Sequence, residues 1–251
     1  MSAETKRLAL RGVGKQFGDL NVLGDVSIDV APGEFVSILG PSGAGKSTIF
    51  QILTGGTKAD TGVIAFDGSE LADASDKFAL MPQKDALMPW RRIVDNATLG
   101  LEVQGLSRKT AREKVAPLFE EFGLAGFEQH YPHQLSGGMR QRVALLRTVI
   151  QQRQMLLLDE PFGALDALTR TAMQQWLERM WGQHNWTALL ITHDVREAVF
   201  LSDRIYVLSA RPARVTHEIR VPLARPRRVA DLASPEATRI EAELLEALLG
   251  T

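Results

Sequence analysis

Phe35-Val36-Ser37-Ile38-Leu39-Gly40-Pro41-Ser42-Gly43-Ala44-Gly45-Lys46-Ser47-Thr48 opens as a short apolar strand, passes through a glycine-rich loop and enters a helical stretch that runs to about Leu53. Gly40 to Ser47 spell G-x-x-x-x-G-K-[ST] between a strand and a helix, the setting in which that pattern binds phosphate. Glycines let backbone N–H groups converge on phosphate oxygens, and the helix N-terminus adds its partial positive charge. Lys46 is expected to reach the β- and γ-phosphates, and the Ser47 hydroxyl to hold Mg²⁺. The expected nucleotide contacts are Gly40, Pro41, Ser42, Gly43, Ala44, Gly45, Lys46, Ser47 and Thr48. A plain glycine-rich turn with a surface lysine would explain the glycines but not the flanking strand and helix.

A second apolar run, Met155-Leu156-Leu157-Leu158, ends in Asp159 and Glu160. Two acids at the end of a buried strand are costly unless they meet a cation or a reacting group. Asp159 suits a Mg²⁺ ligand, and Glu160 suits a base that polarises the attacking water.

Outward from these two runs, the opening of the chain reads as antiparallel β structure. LALRGV is followed by a glycine-punctuated turn, and then Val26, Ile28 and Val30 alternate with polar residues up to Pro32-Gly33. Further strands are expected at Val63 to Phe66, Phe78 to Met81, Met155 to Leu158, Ala188 to Thr192 and Ile205 to Leu208. Helices are expected over Leu168 to Trp181 and Val195 to Leu201. Such alternation implies a parallel sheet covered on both faces. From about 84 to 152 the texture is helical, with helical spacing in Val94 to Val103 and Ala111 to Phe122. After Leu208 come a short strand near Val215 to Val221, a basic turn ARPRR and an amphipathic helix carrying Ile240, Leu244, Leu245 and Leu248.

The 251 residues have a net charge of −1, 45% hydrophobic and 24% charged residues and no cysteine. That balance argues against disorder and against broad attraction to nucleic acid, and it excludes disulfides and thiolate chemistry. Apolar runs such as MLLL fall far short of the ~20 residues that cross a bilayer. The opening residues carry no apolar stretch of the secretory kind, so a cytoplasmic location is expected.

Gln134-Leu135-Ser136-Gly137-Gly138-Met139-Arg140-Gln141-Arg142 resembles the LSGGQ signature of the ATP-binding cassette (ABC) ATPase family, with Met139 where glutamine is commonest. Ser136, Gly137 and Gly138 open a helix, so their N–H groups form a second anion site. The resemblance implies an α/β fold: a P-loop NTPase (RecA-like) core with an N-terminal antiparallel β subdomain and an α-helical insertion subdomain at about 84–152, all within a single ABC ATPase domain, 1–251. It implies ATP and Mg²⁺ as cofactors and a head-to-tail homodimer, in which each ATP lies between one phosphate loop and the other subunit's Ser136 to Gly138. Phe17 is similar to the aromatic that stacks on adenine. Gln83 is similar to the glutamine that senses Mg²⁺ and water, Ala164-Leu165-Asp166 to the D-loop, with Gly163 in place of a frequent serine, and His193 to the histidine at the γ-phosphate. By this resemblance the catalytic residues are Glu160, His193 and Gln83, and the metal ligands Ser47, Gln83 and Asp159.

Three segments resemble the nitrate, sulfonate and taurine importer branch, which includes transporters of thiamine-precursor pyrimidines: Gln83 to Asn96, Glu160 to Arg170, and Thr192-His193-Asp194 with Ser209 to Arg214. The implied role is the ATP-hydrolysing subunit of a multi-subunit importer of a small solute. It would sit peripherally on the cytoplasmic face of the inner membrane, with separate transmembrane permease subunits docking near Gln83 to Trp90 and a solute-binding protein as an indirect partner. Trp90 either lines that socket or packs the helical insertion onto the core. The alternatives are a soluble ABC ATPase of an assembly or repair complex, and the ATPase of an exporter or lipid transporter.

Overall fold

In the computed structural model, which describes residues 6–71 and 76–250, Leu8–Phe17 (β1) folds back on Leu20–Val30 (β2) as an antiparallel hairpin. The strand expected over LALRGV runs on through Gly14 to Phe17, with shifts of register around Gly12 and Gly14, and the turn that follows it lies at Gly18-Asp19. A Cβ on Gly14 would come within 2.4 Å of the Thr61 hydroxyl, so the close pass of Thr61 needs a glycine there. The remaining strands are β3 (Phe35–Leu39), β4 (Thr61–Phe66), β5 (Ser69–Glu70), β6 (Phe78–Met81), β7 (Met155–Asp159), β8 (Ala188–Ile191), β9 (Arg204–Leu208) and β10 (Ala213–Arg220). The helices are α1 (Lys46–Leu53), α2 (Ile93–Ala97), α3 (Leu99–Val103), α4 (Arg108–Val115), α5 (Leu118–Glu121), α6 (Gly137–Val149), α7 (Ala167–His184), α8 (Val195–Leu201) and α9 (Pro235–Leu249).

The described strands join in one ten-stranded sheet in the order β5-β4-β1-β2-β10-β9-β3-β8-β7-β6. From β9 to β6 neighbouring strands are parallel. Because side chains alternate along a strand, these central strands are apolar on both faces. Met155 and Leu157 of β7 pack with Val36, Ile38 and the α1 residues Ile49 and Phe50. Leu156 and Leu158 pack on the other side with Phe35, Val143 of α6 and Trp176 of α7.

The strand expected near Val215 to Val221 runs from Ala213 to Arg220; β10 pairs antiparallel with β9 and parallel with β2, and so joins the N-terminal hairpin to the parallel strands. The basic turn ARPRR is folded inward. Arg227 is buried and donates to the carbonyls of Val199, Phe200 and Ser202, the last turn of α8, where a cation complements the helix dipole. Arg225 lies 3.9 Å from the Trp181 ring centroid and pairs with the buried Glu178. Between β6 and β7 the two expected helices are each divided, the first at Thr98 and the second at Ala116-Pro117, where proline supplies no N–H.

Candidate functional site

The loop after β3 turns into α1 through Gly45, whose φ of 99° is in the left-handed region. A Cβ there would meet Val22 Cγ1 at 2.7 Å and Leu23 Cδ2 at 2.9 Å, so β2 forms the wall against which the loop closes. Lys46 is buried at the start of α1, and its Nζ donates to the carbonyls of Gly40 at 2.7 Å and Pro41 at 3.0 Å. Burial lowers its ammonium below the usual lysine range, against the opposing pull of the Glu160 and Asp159 carboxylates.

Asp159 ends β7 and Glu160 follows it; β7 and β3 are parallel strands flanking β8, so their C-terminal ends open on the same edge of the sheet and the acids face the loop. Ser47 Oγ lies 3.5 Å from Asp159 Oδ1. Burial and the neighbouring Glu160 charge raise the Asp159 carboxyl above its ordinary value, while Ser47 and Lys46 pull it back. Glu160 has φ 44°, unusual for a residue with a side chain, and its N–H donates to Ile191 O of β8 at 2.8 Å. Its Oε2 accepts from Gln83 Nε2 at 3.0 Å and lies 3.3 Å from His193 Nδ1. Three loops, after β6, β7 and β8, thus converge on one carboxylate oxygen.

The cleft in front of the loop is lined by Phe17, Leu20, Ser42, Lys46, Glu160 and Arg211, among others. Phe17 is 45% exposed and Leu20 49%, an apolar shelf suited to a flat ring. Lys15 Nζ stands 5.1 Å from the Phe17 ring centroid. Arg211 was not singled out from the sequence. It comes from the loop between β9 and β10, donates from Nε to Gly43 O and lays its guanidinium over Gly43 at the edge of the cleft it helps to line. It lies in the Ser209 to Arg214 segment, but nothing local gives it a role at the cleft, since its partner Gly43 lies far away in the sequence.

Ser136, Gly137, Gly138 and Asp166 form a separate cluster. Ser136 caps α6 by accepting from Met139 N, and Asp166 caps α7 by accepting from Thr169 N. The space at Gly138 and Gly137 is bounded by Thr169 and Leu165, where an added Cβ would lie at 3.0 and 3.2 Å. The starts of α6 and α7 are therefore packed together, and Ser136, Gly137, Gly138 and Asp166 are not among the residues that line the cleft.

Trp90 is 74% exposed, which removes the reading in which it packs the helical insertion onto the core. Its loop is held from behind. Asn96 accepts from Met88 N at 2.7 Å and donates to Met88 O and Arg91 O, and Asp85 pairs with Arg140 of α6 at 3.1 Å.

The ABC transporter family profile matches residues 23–163, more than half of the sequence. The chain belongs to the ABC transporter family. Relatives include the aliphatic sulfonates import ATP-binding protein SsuB 1 of Rhodococcus jostii, 46% identical over 96% of this chain and 93% of that protein. The protein of the same name in Mesorhizobium japonicum is 43% identical over 100% of this chain and 92% of its own length. Among solved structures, the dimeric bacterial ABC transporter cassette MJ0796 aligns with a TM-score of 0.74 and 29% identity, covering 86% of this chain and 100% of that one. A post-hydrolysis state of the same cassette, bound to ADP and Pi, aligns with a TM-score of 0.73. In an ABC cassette of this kind the mixed α/β fold and its curled sheet are family properties, as is the binding of ATP.

Proposed function

We propose that this chain is the ATP-hydrolysing subunit of an ABC importer that takes up an aliphatic sulfonate or a related small anion. The convergence of Gln83 and His193 on Glu160, across the cleft from Lys46 and Ser47, carries the hydrolytic reading. In that reading Phe17 and Leu20 stack the adenine, the backbone from Gly40 to Thr48 wraps the phosphates, and Lys46 exchanges its loop carbonyls for phosphate oxygens. Glu160 takes the proton of the attacking water, while Gln83 and His193 hold its carboxylate in place.

The donor set also fits Mg²⁺. Ser47 and Asp159 offer hard oxygen ligands, and burial leaves Asp159 in want of a cation. Among the described residues no group of three or more His, Asp or Glu side chains could cage an ion alone. Such a site suits an ion that shares its coordination with substrate phosphates. When bound, Mg²⁺ would neutralise charge on the transferred phosphoryl group.

Ser136, Gly137, Gly138 and Asp166 are assigned to the second nucleotide of a head-to-tail homodimer. That these residues do not line the cleft, and that the cassette relative is dimeric, support the assignment. Residues 84–152 act as the helical subdomain of a single ATPase domain, and the exposed Trp90 loop receives the permease. No helix among the described residues is long and apolar enough to cross a membrane, so attachment to the cytoplasmic face of the inner membrane would come through the permease subunits, and the solute-binding protein would act from the other side.

Deleting the gene for this chain should abolish growth on an alkanesulfonate as sole sulfur source and spare growth on sulfate. Growth on both would sink the sulfonate assignment. Failure of the purified chain to hydrolyse Mg-ATP would sink the ATPase assignment.

A further inference from the structure

Behind His193 lies a partly buried polar network, centred on the buried Glu197, that hydrolysis as described does not use. Glu197 of α8 is 3% exposed, and its Oε2 accepts from Gln174 Nε2 of α7 at 3.2 Å. Asp194 accepts from Glu197 N at 3.1 Å and so caps α8, and its own N–H donates to Thr192 Oγ1 at 3.1 Å. Arg170, one turn into α7, donates from Nη2 to Leu165 O at 2.9 Å and places Nη1 3.6 Å from Asp194 Oδ2. Two buried atoms of this group, Glu197 Oε1 and Arg170 Nε, have no hydrogen-bond partner among the described residues. Both residues line a small, partly open cavity together with Glu160, Gly163, Thr192, His193 and Asp194. Burial and the adjacent Asp194 carboxylate push Glu197 up to about 8, so it is mainly a neutral acid at pH 7.

Burying an incompletely paired acid such as Glu197 destabilises a fold relative to an apolar side chain of the same size, and Arg170, whose side chain is 32% exposed, adds a buried Nε with no partner among the described residues. The network therefore calls for a reason other than stability, and its connections supply one. Arg170 holds the 164–166 loop with one nitrogen and the 192–194 loop with another. One turn further along, Gln174 and Glu197 tie the same two helices.

We propose that Arg170 and Glu197 are positioning residues that lock the His193 loop to the Leu165-Asp166 loop, so that a shift of His193 at one nucleotide is carried to Asp166. The proposal rests on the hydrolytic reading above and adds a link between the γ-phosphate histidine and the residues assigned to the second nucleotide. Neither residue touches substrate. Their effect is expected in turnover and not in nucleotide affinity.

The experiment uses the full chain and measures ATP turnover, equilibrium ATP affinity and melting temperature for Arg170→Ala, Asp194→Ala, the double variant, Glu197→Leu and Glu197→Gln. Arg170→Ala and Glu197→Leu should lower kcat about 10- to 100-fold, as misplacement of a catalytic group does, with ATP affinity changed less than about threefold. Glu197→Gln copies the shape and hydrogen bonding of the neutral acid and should keep wild-type turnover. The double variant should be no slower than the slower single, because both substitutions break one link. Wild-type turnover in Arg170→Ala or Glu197→Leu, or a double variant that loses the product of the two single losses, overturns the proposal. So does a kcat loss in Glu197→Leu that Glu197→Gln reproduces, or one that tracks a collapse in melting temperature. A wild-type chain without ATPase activity would overturn the hydrolytic reading first and this link with it.

Discussion

Glu160 is held by its backbone before its side chain is considered. Its left-handed φ of 44° and its bond to Ile191 O swing the carboxylate off the line of β7 and under Gln83 and His193. Glu160→Gln keeps that shape but cannot take a proton. It should bind Mg-ATP normally and hydrolyse it at least about 10²-fold more slowly, the usual loss of a positioned base. Single-turnover hydrolysis with [γ-³²P]ATP measures this, and unimpaired turnover would remove Glu160 as the base. Arg211 belongs to the same scale. A charge-assisted hydrogen bond contributes about 1.5–3 kcal/mol, and exposure to solvent reduces that, so Arg211→Ala should weaken ATP about 3- to 10-fold. Adenosine affinity should not change, since the added cation acts on phosphate. Equal affinity of variant and wild type for ATP, in a titration at low salt, would take Arg211 out of the site.

At the scale of elements, the loop between β6 and α2 offers an aromatic side chain on a rigid mount. Trp90→Ala should shift the melting temperature by less than about 2 °C, as surface substitutions do, and should abolish capture by the cognate membrane subunit. Intact capture, measured by pull-down from detergent extract, would show that the permease docks elsewhere. The helices behind that mount are held by Asp95, which is buried against Arg108 and Arg112. Burial alone would raise its carboxyl, but the two arginines outweigh burial and hold it below the ordinary aspartate range. A depressed carboxylate stabilises the fold fully above its unfolded value of ~3.9, and that contribution is lost as pH falls below it toward the folded value. Asp95→Asn should therefore cost about 1–2 kcal/mol at pH 7, the arginines being partly exposed. The gap from wild type should narrow as pH falls from 5 to 3. Urea midpoints across that range test it, and a constant gap would contradict the assignment.

These elements also show what local reading can reach. The phosphate loop, the two acids of β7 and the signature helix are legible because each packs its chemistry into a few consecutive residues with fixed geometry. The role of Arg211 escapes notice because it comes from Gly43, a contact between the loops that follow the neighbouring strands β9 and β3, which are distant in sequence. Arg227 reads as one charge in a basic turn until the open carbonyls of α8 give it a reason to be buried. The divisions at Thr98 and Pro117 were missed because helical spacing on either side continues past them. In the cluster around Glu197, each residue taken alone looks like an ordinary helix residue.

For the whole molecule, the feature with the widest reach is β10, the strand that stitches the N-terminal hairpin to the parallel strands. The wall formed by Val22 and Leu23 behind Gly45 is fastened to the parallel strands by residues from Ala213 to Arg220. On a ribosome adding about 5–20 residues per second, roughly 190 residues separate Val22 from Ala213, so the hairpin waits about 10–40 s for its fastening. Throughout that interval β2 presents an unpaired edge to the cytosol, a site for chaperone capture or misplaced pairing. Nascent chains arrested with Leu208 outside the exit tunnel should be cut by protease within the hairpin, whereas chains arrested with Arg220 outside should resist. Slowing synthesis between these two stretches with rare codons should then lower the yield of mature protein, and an unchanged yield would show that the open edge does no harm.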